Sequence, residues 1–227
     1  MRPDKARRTI RLSLVMVLFL TMASNAAARE PPEDLINHVK GAVVIITTYD
    51  QNGKALLQGS GFFVASNQLV TAWHVVKTAH HALIKTVNGK TFPIHGVIAV
   101  NEPGDLALLE TGGEATGCAT LAIAETAPGE GDEVIVVSNP KGASWKVTKG
   151  TTEALWDFQG VGEVMSITAK LAPGSSGGPV VNRRGRVVGV AAMHAGSAGN
   201  LNFAVPAVLI KSLTPGPLRE LPYTPGK

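Results

Sequence analysis

The chain has 227 residues, 17% of them charged and 5% aromatic, with 25 glycines; the length suits one large domain or a compact two-lobed one, and the composition excludes a disordered chain and favours a β-rich one over a helical one. The formal net charge of +4 is an N-terminal property, because residues 1–28 hold five of the 21 basic and one of the 17 acidic residues, leaving 16 of each sign. A neutral remainder gives no support for nucleic-acid or other polyanion binding, which rests on a basic patch on the folded domain.

In chain order, Arg2, Lys5, Arg7, Arg8 and Arg11 precede the apolar run Leu12–Ala23, and Ala26-Ala27-Ala28 follows. This is the layout of a secretory signal peptide (1–28) cleaved after Ala28, which predicts a secreted or periplasmic protein. The apolar run is short of the roughly 20 residues that span hydrocarbon, so a retained anchor is the weaker alternative, and no stable membrane span is expected after cleavage. Glu30-Pro31-Pro32 reads as an exit segment, and Asp34–Lys40 forms a short helix with Leu35, Ile36 and Val39 on one side.

From here the signals are short β-type runs broken by turn residues. Gly41–Tyr49 and Leu56–Val64 flank an Asn52-Gly53 hairpin signal. Leu69–Thr71, Ala82–Val87, a second Asn-Gly turn at Asn88-Gly89, Thr91–Val100 and Leu106–Glu110 continue the series. Thr111–Ala127 is rich in Gly and Ala and reads as a crossover. A second series comprises Glu133–Ser138, Ser144–Leu155, Val164–Ala169, Val180–Asn182, Val187–Ala192 and Asn202–Pro206, with a closing helix at Val208–Leu213. Two sets of about six strands predict an all-β protein of two small barrels or sandwiches, 29–125 and 126–213, followed by a loose Pro/Gly-rich tail at 214–227. Cys118 is alone, so no internal disulfide forms; with no metal-ligand spacing around it, it reads as a small packing residue.

Three motifs carry chemistry. Ala172-Pro173-Gly174-Ser175-Ser176-Gly177-Gly178-Pro179 sets paired hydroxyls among glycines. A hydroxyl becomes a nucleophile when a base takes its proton, and that base needs an orienting third group. Thr71-Ala72-Trp73-His74-Val75-Val76 places His74 just after a strand. Asn101-Glu102-Pro103-Gly104-Asp105-Leu106-Ala107-Leu108-Leu109 puts a carboxylate at the mouth of a buried run, where it requires a partner. His80-His81, His38, His95, Asp132 and Asp157 lack such contexts and read as solvated or locally bonded residues; no metal site is predicted.

TAWHVV resembles the TAAHC-type histidine motif of trypsin-like serine proteases, DLALL their DIALL-type aspartate motif, and GSSGGP their GDSGGP. Gly59-Ser60-Gly61-Phe62-Phe63, Ser138-Asn139-Pro140 and Asn202-Phe203-Ala204-Val205-Pro206 further resemble the protease domain of the HtrA/Deg group, over roughly residues 35–212. The resemblance implies two six-stranded antiparallel barrels with the site in the cleft between them. It implies a serine endopeptidase acting on proteins or peptides through an acyl-enzyme, with His74 as base, Asp105 as its orienter and Ser176 as nucleophile. Gly174, Ser175 and Ser176 would form the oxyanion hole, and no cofactor is required. Ser175 stands where zymogen-type relatives carry an aspartate that pairs with a freed amine, so that activation switch is expected to be absent.

The primary pocket would lie between Lys170, Leu171 and Ala172 on one side and Ala191, Ala192, Met193 and His194 on the other. Ala and Met favour a small or medium apolar residue before the scissile bond (P1); Lys170 and His194 would suit an acidic one. From the few residues after the closing helix, no PDZ domain of the usual HtrA kind is expected. A homo-oligomer is compatible with the sequence. The rival class is an inactive binding or scaffold protein on the same fold.

Overall fold

The computed structural model describes residues 30–140, 145–158, 162–192 and 202–222. Helix α1 (Glu33–Ala42) leads directly into β1 (Val43–Tyr49), so the helix runs two residues beyond the expected Lys40 and the strand starts at Val43. Its acidic first turn (Glu33, Asp34) and basic last turn (Lys40) match the helix dipole.

Strands β1, β2 (Ala55–Ala65), β3 (Gln68–Ala72), β4 (His81–Thr86), β5 (Thr91–Asn101) and β6 (Leu106–Thr111) close into one barrel in the order β1-β2-β3-β6-β5-β4. Strands β7 (Glu133–Ser138), β8 (Lys146–Phe158), β9 (Gly162–Ile167), β10 (Pro179–Val181), β11 (Val187–Ala192) and β12 (Asn202–Pro206) close into a second, in the order β10-β11-β12-β9-β8-β7. All pairings are antiparallel. The protein is all-β in its core, and closure leaves neither sheet an exposed edge.

The sequence accounts for these strands. β1 is VVIITTY, β-branched in six of seven positions, and such side chains suit a pleated surface. β4 alternates, with Ala82, Ile84 and Thr86 buried and the residues between them exposed, the period of two expected of a half-buried strand. The two Asn-Gly signals form turns in which Gly53 and Gly89 adopt φ 77° and 78°, a region open to glycine.

Three apolar clusters organise the interior. One fills the first barrel around Ile46, Phe63, Leu69 and Leu109; another fills the second around Val136, Met165, Val180 and Ala204. The third draws Phe62, Val70 and Leu106 together with Val137, Val181 and Val190, and so joins the barrels. Val39 and Ala42 of α1 belong to it. Burying a side chain such as Phe62 stabilises the fold by about 1.5–3 kcal/mol. The joint between barrels is therefore hydrophobic and firm, which fixes the groups presented above it. The crossover touches both barrels: Leu121 N–H donates to Phe63 O and Ala124 N–H to Val187 O, both through backbone amides.

The closing helix is a 3₁₀ segment, Ala207–Ser212. The following tail is not loose as far as Pro222. Gly216 N–H donates to Ile98 O, and Arg219 and Val97 exchange two backbone hydrogen bonds. Composition misleads here because the paired groups are main-chain atoms between the prolines, and β5 is bulged at Val97 and Ala99, which leaves groups for them. Among the described residues, no helix is long and apolar enough to cross a membrane.

Candidate active site

β3 ends at Ala72 and the chain turns at once into a four-residue helix, Trp73–Val76 (α2). Trp73, Val75 and Val76 are buried in the first barrel's cluster, so anchoring on three sides sets the direction of the His74 ring. Opposite, a turn at 101–105 precedes β6. Asn101 Oδ1 accepts from Gly104 N–H at 2.9 Å, and Asp105 N–H donates to Glu102 O at 3.0 Å. Asp105 has φ +50°, where it is the one non-glycine residue with positive φ among the described residues. Asp and Asn are the side chains best tolerated there, and backbone outliers of this kind gather at functional sites.

The carboxylate reaches back to the short helix. Asp105 Oδ2 lies 2.6 Å from His74 Nδ1, and Oδ1 accepts the His74 backbone N–H at 2.8 Å. The Asp105 carbonyl accepts from Trp73 N–H at 2.9 Å, and Trp73 Nε1 donates to Glu102 Oε1 at 3.3 Å. An ionised carboxylate only accepts, so Nδ1 carries the proton, and in the neutral ring Nε2 is then the nitrogen with the lone pair. The side chains of His74 and Asp105 keep 36% and 19% of their surface exposed. The imidazole is thus held from behind and open in front.

Ser176 arrives on the loop before β10. This loop is pressed onto the first barrel: Ser60 N–H donates to Ser176 O at 2.8 Å. A Cβ at Gly177 would fall 2.1 Å from Ser60 O and 2.9 Å from Ala72 N, so only glycine permits the approach. Gly177 therefore abuts Ala72, two residues before His74, and the histidine and serine motifs share one seam. Ser176 is 7% exposed.

The loop's internal bonds define its shape. Ser175 N–H donates to Ala172 O at 2.8 Å, and Ser175 Oγ accepts from Ala172 N–H at 3.2 Å. Ser175 Oγ also pairs with Ser138 Oγ at 3.0 Å. The slot therefore holds a buried, neutral hydroxyl pair. Gly174 takes φ +96°. Among the described residues, the N–H groups of Gly174 and Ser176 meet no acceptor.

Of the residues expected around a primary pocket, Lys170 is exposed. Leu171 N–H donates to Asn202 Oδ1 at 3.0 Å, so the side chain of Asn202 bridges the start of β12 and this wall. Ala191 and Ala192 are buried on β11, and Ala191 exchanges bonds with the loop through Gly177 N–H and Gly178 O. Met193 and His194 lie outside the described residues. His80 N–H donates to Tyr49 O, and His38, His81 and His95 are exposed. Among the described residues, no three His, Cys, Asp or Glu side chains are grouped to hold a metal. Ser60, Ser138, Asn139 and Asn202 are the site-shaping residues for which the sequence offered motif membership but no role. The available signal was a polar residue inside an apolar strand or at its end.

Fold and site together define a protein of the double-barrel, trypsin-like class. The model of the trypsin-like peptidase domain matches residues 59–190, more than half of the chain, which belongs to that family. It is 34% identical over 167 residues to the anti-sigma-I factor RsgI9 of Acetivibrio thermocellus, covering 73% of this chain and 23% of that protein. It is 28% identical over 173 residues to the periplasmic serine endoprotease DegP of Salmonella typhimurium, covering 72% and 36%. The chain thus spans little more than a third, at most, of the length of these two relatives. The crystal structure of the Rv3671c protease from M. tuberculosis in its active form superposes with a TM-score of 0.73 at 21% identity, over 88% of this chain and 92% of that one. At that identity the likeness is one of fold.

Proposed function

We propose that this protein is a secreted or periplasmic serine endopeptidase in which His74, Asp105 and Ser176 act as one unit. His74 Nε2 takes the proton of Ser176 Oγ as that oxygen attacks the peptide carbonyl, then returns it to the leaving amine. Asp105 fixes the tautomer and steadies the imidazolium. The N–H groups of Gly174 and Ser176 receive the oxygen of the tetrahedral intermediate, and each such donor is commonly worth about 100–1000-fold in rate. Water then hydrolyses the acyl-enzyme. The observation that carries this reading is the 2.6 Å contact between His74 Nδ1 and Asp105 Oδ2, with the Ser176 loop seated on the strand leading to His74. Membership of a peptidase family and similarity to periplasmic DegP support it, as does the Arg-rich, apolar and Ala-rich leader for export.

The buried hydroxyl at Ser175 supports turnover without a pairing of a freed N-terminal amine, because no carboxylate waits to receive one. The short side chains of Ala191 and Ala192 support an apolar P1 residue; a P1-scanning peptide library that showed cleavage after Glu would reverse this preference.

The test is covalent labelling with a fluorophosphonate beside casein turnover. The wild type is expected to label and to hydrolyse, and Ser176→Ala to do neither while staying folded. A binding or scaffold protein on this fold would stay unlabelled throughout. Sequencing the exported protein's N-terminus tests cleavage after Ala28.

A further inference from the structure

Gly174 is free to adopt more than one backbone shape. With a glycine at the donor position, the loop could turn the Gly174 N–H inward or away at little cost, so something outside the loop has to select one arrangement. Part of the selection is internal, through the bonds between Ala172 and Ser175. The remainder comes from the other barrel.

Ser60 sits in β2, opposite Ile45 of β1, and is fully buried. All of its polar groups are engaged, the N–H and the hydroxyl across the seam and the carbonyl within its own barrel. Its N–H donates to Ser176 O at 2.8 Å and its carbonyl accepts from Thr71 Oγ1 at 2.7 Å. Its Oγ donates to Gly174 O at 2.7 Å and accepts from the Asn139 N–H at 3.3 Å. The amide of Asn139 can only donate, so the Ser60 hydroxyl proton is directed at Gly174 O. One side chain of the first barrel thus fixes the carbonyl of the donor glycine while the same residue's backbone fixes the carbonyl of the nucleophile. The backbone bond is open to any residue in this place; the bond to Gly174 needs a side-chain donor.

We infer that Ser60 is a positioning residue which, through Gly174, holds the oxyanion hole in its receptive shape. This inference rests on the endopeptidase reading above. Ser60 is fully buried, and removal of its Oγ takes from Gly174 O and Asn139 N–H the partner they have here, which costs the bond and leaves groups to be re-satisfied. The loop then has reason to move, and a shift of about 1 Å at a catalytic group can cost on the order of 100-fold.

The experiment compares wild type, Ser60→Ala and Ser60→Cys on a peptide anilide with an apolar P1 residue, with rates expressed per chain labelled at end-point by fluorophosphonate. The boronate of the same peptide, whose adduct with serine places an oxygen in the hole, reports the hole itself. For Ser60→Ala we expect kcat per labelled chain to fall about 10- to 100-fold with KM little changed, and boronate affinity to fall in parallel. Ser60→Cys keeps a weak donor in place, guards against a failure of the Ala variant to fold, and should show the same pattern at smaller amplitude. Unchanged kcat and boronate affinity in either folded variant would overturn the inference, as would activity lost only in proportion to labelled chains. If the wild type itself neither labels nor turns over, it is the endopeptidase reading that fails.

Discussion

The carboxylate of Asp105 grips His74 at two points, Oδ2 on the ring nitrogen Nδ1 and Oδ1 on the backbone N–H. Two contacts from one group fix both the tautomer and the tilt of the ring, and the unusual φ of +50° at Asp105 is what turns the carboxylate toward it. Asn is nearly the same shape and tolerates this backbone equally well, so Asp105→Asn tests charge and tautomer apart from fold. We expect kcat to fall by about 10⁴-fold with an unchanged thermal midpoint. A variant that kept more than a small fraction of wild-type turnover would show that the carboxylate does not orient the base.

Space and conformation can be separated at two glycines of similar φ. Gly177 has φ +85° and Gly53 φ +77°, but a Cβ at Gly177 would meet Ser60 O and Thr71 Oγ1, whereas one at Gly53 meets nothing within 4 Å. Gly53→Ala should therefore cost about 1–2 kcal/mol from backbone conformation alone. Gly177→Ala adds overpacking of about 1–3 kcal/mol and separates the two motifs. Urea midpoints compare the stabilities, and we expect labelling by fluorophosphonate to survive only in Gly53→Ala. Equal losses at the two positions would contradict the tight seam described here.

Much of this was legible in the sequence, for identifiable reasons. The strands read as apolar runs because closed barrels bury one face of each, and Gly53 and Gly89 announced their turns because only certain residues suit them. The contact between His74 and Asp105 and the serine loop seated beside them fall on motifs whose neighbours are themselves constrained. The Ser60 clamp was not legible: its partner Gly174 lies 114 residues away, and a serine in a strand looks like any small residue. Asn202 was likewise present in a motif, while its bond to Leu171 depends on how β12 meets the loop after β9. The tail was misjudged because backbone pairing leaves no trace in side-chain composition.

Burial pushes the Cys118 thiol above its ordinary pKa, an effect that the positive charge of Lys90 partly offsets. A raised pKa means less thiolate at neutral pH, and the thiolate is the reactive form. Cys118 in the folded protein should therefore react with a disulfide reagent more slowly than it does in urea. Lys90→Gln removes the offsetting charge, raises the pKa further and should slow the folded reaction again. An unchanged rate on that substitution would mean that Lys90 does not act on the thiol.

The docked tail makes a prediction in which two changes compensate. Ending the chain after Thr214 removes the bonds of Gly216 and Arg219 to β5, and at about 1 kcal/mol each their loss should lower stability by roughly 2–3 kcal/mol. Gly96 is the complementary position, since a Cβ there would lie 2.3 Å from Arg219 O and 3.0 Å from Leu218 Cδ1. Gly96→Ala in the whole chain must displace the tail and should cost a similar amount. In the truncated chain the obstacle is gone, and the same substitution should be nearly neutral, so the two losses should not add. Denaturation midpoints of the four chains measure this coupling directly. Additive losses would show that Gly96 and the tail act separately, and that residues 215–222 do not seat on β5 in solution.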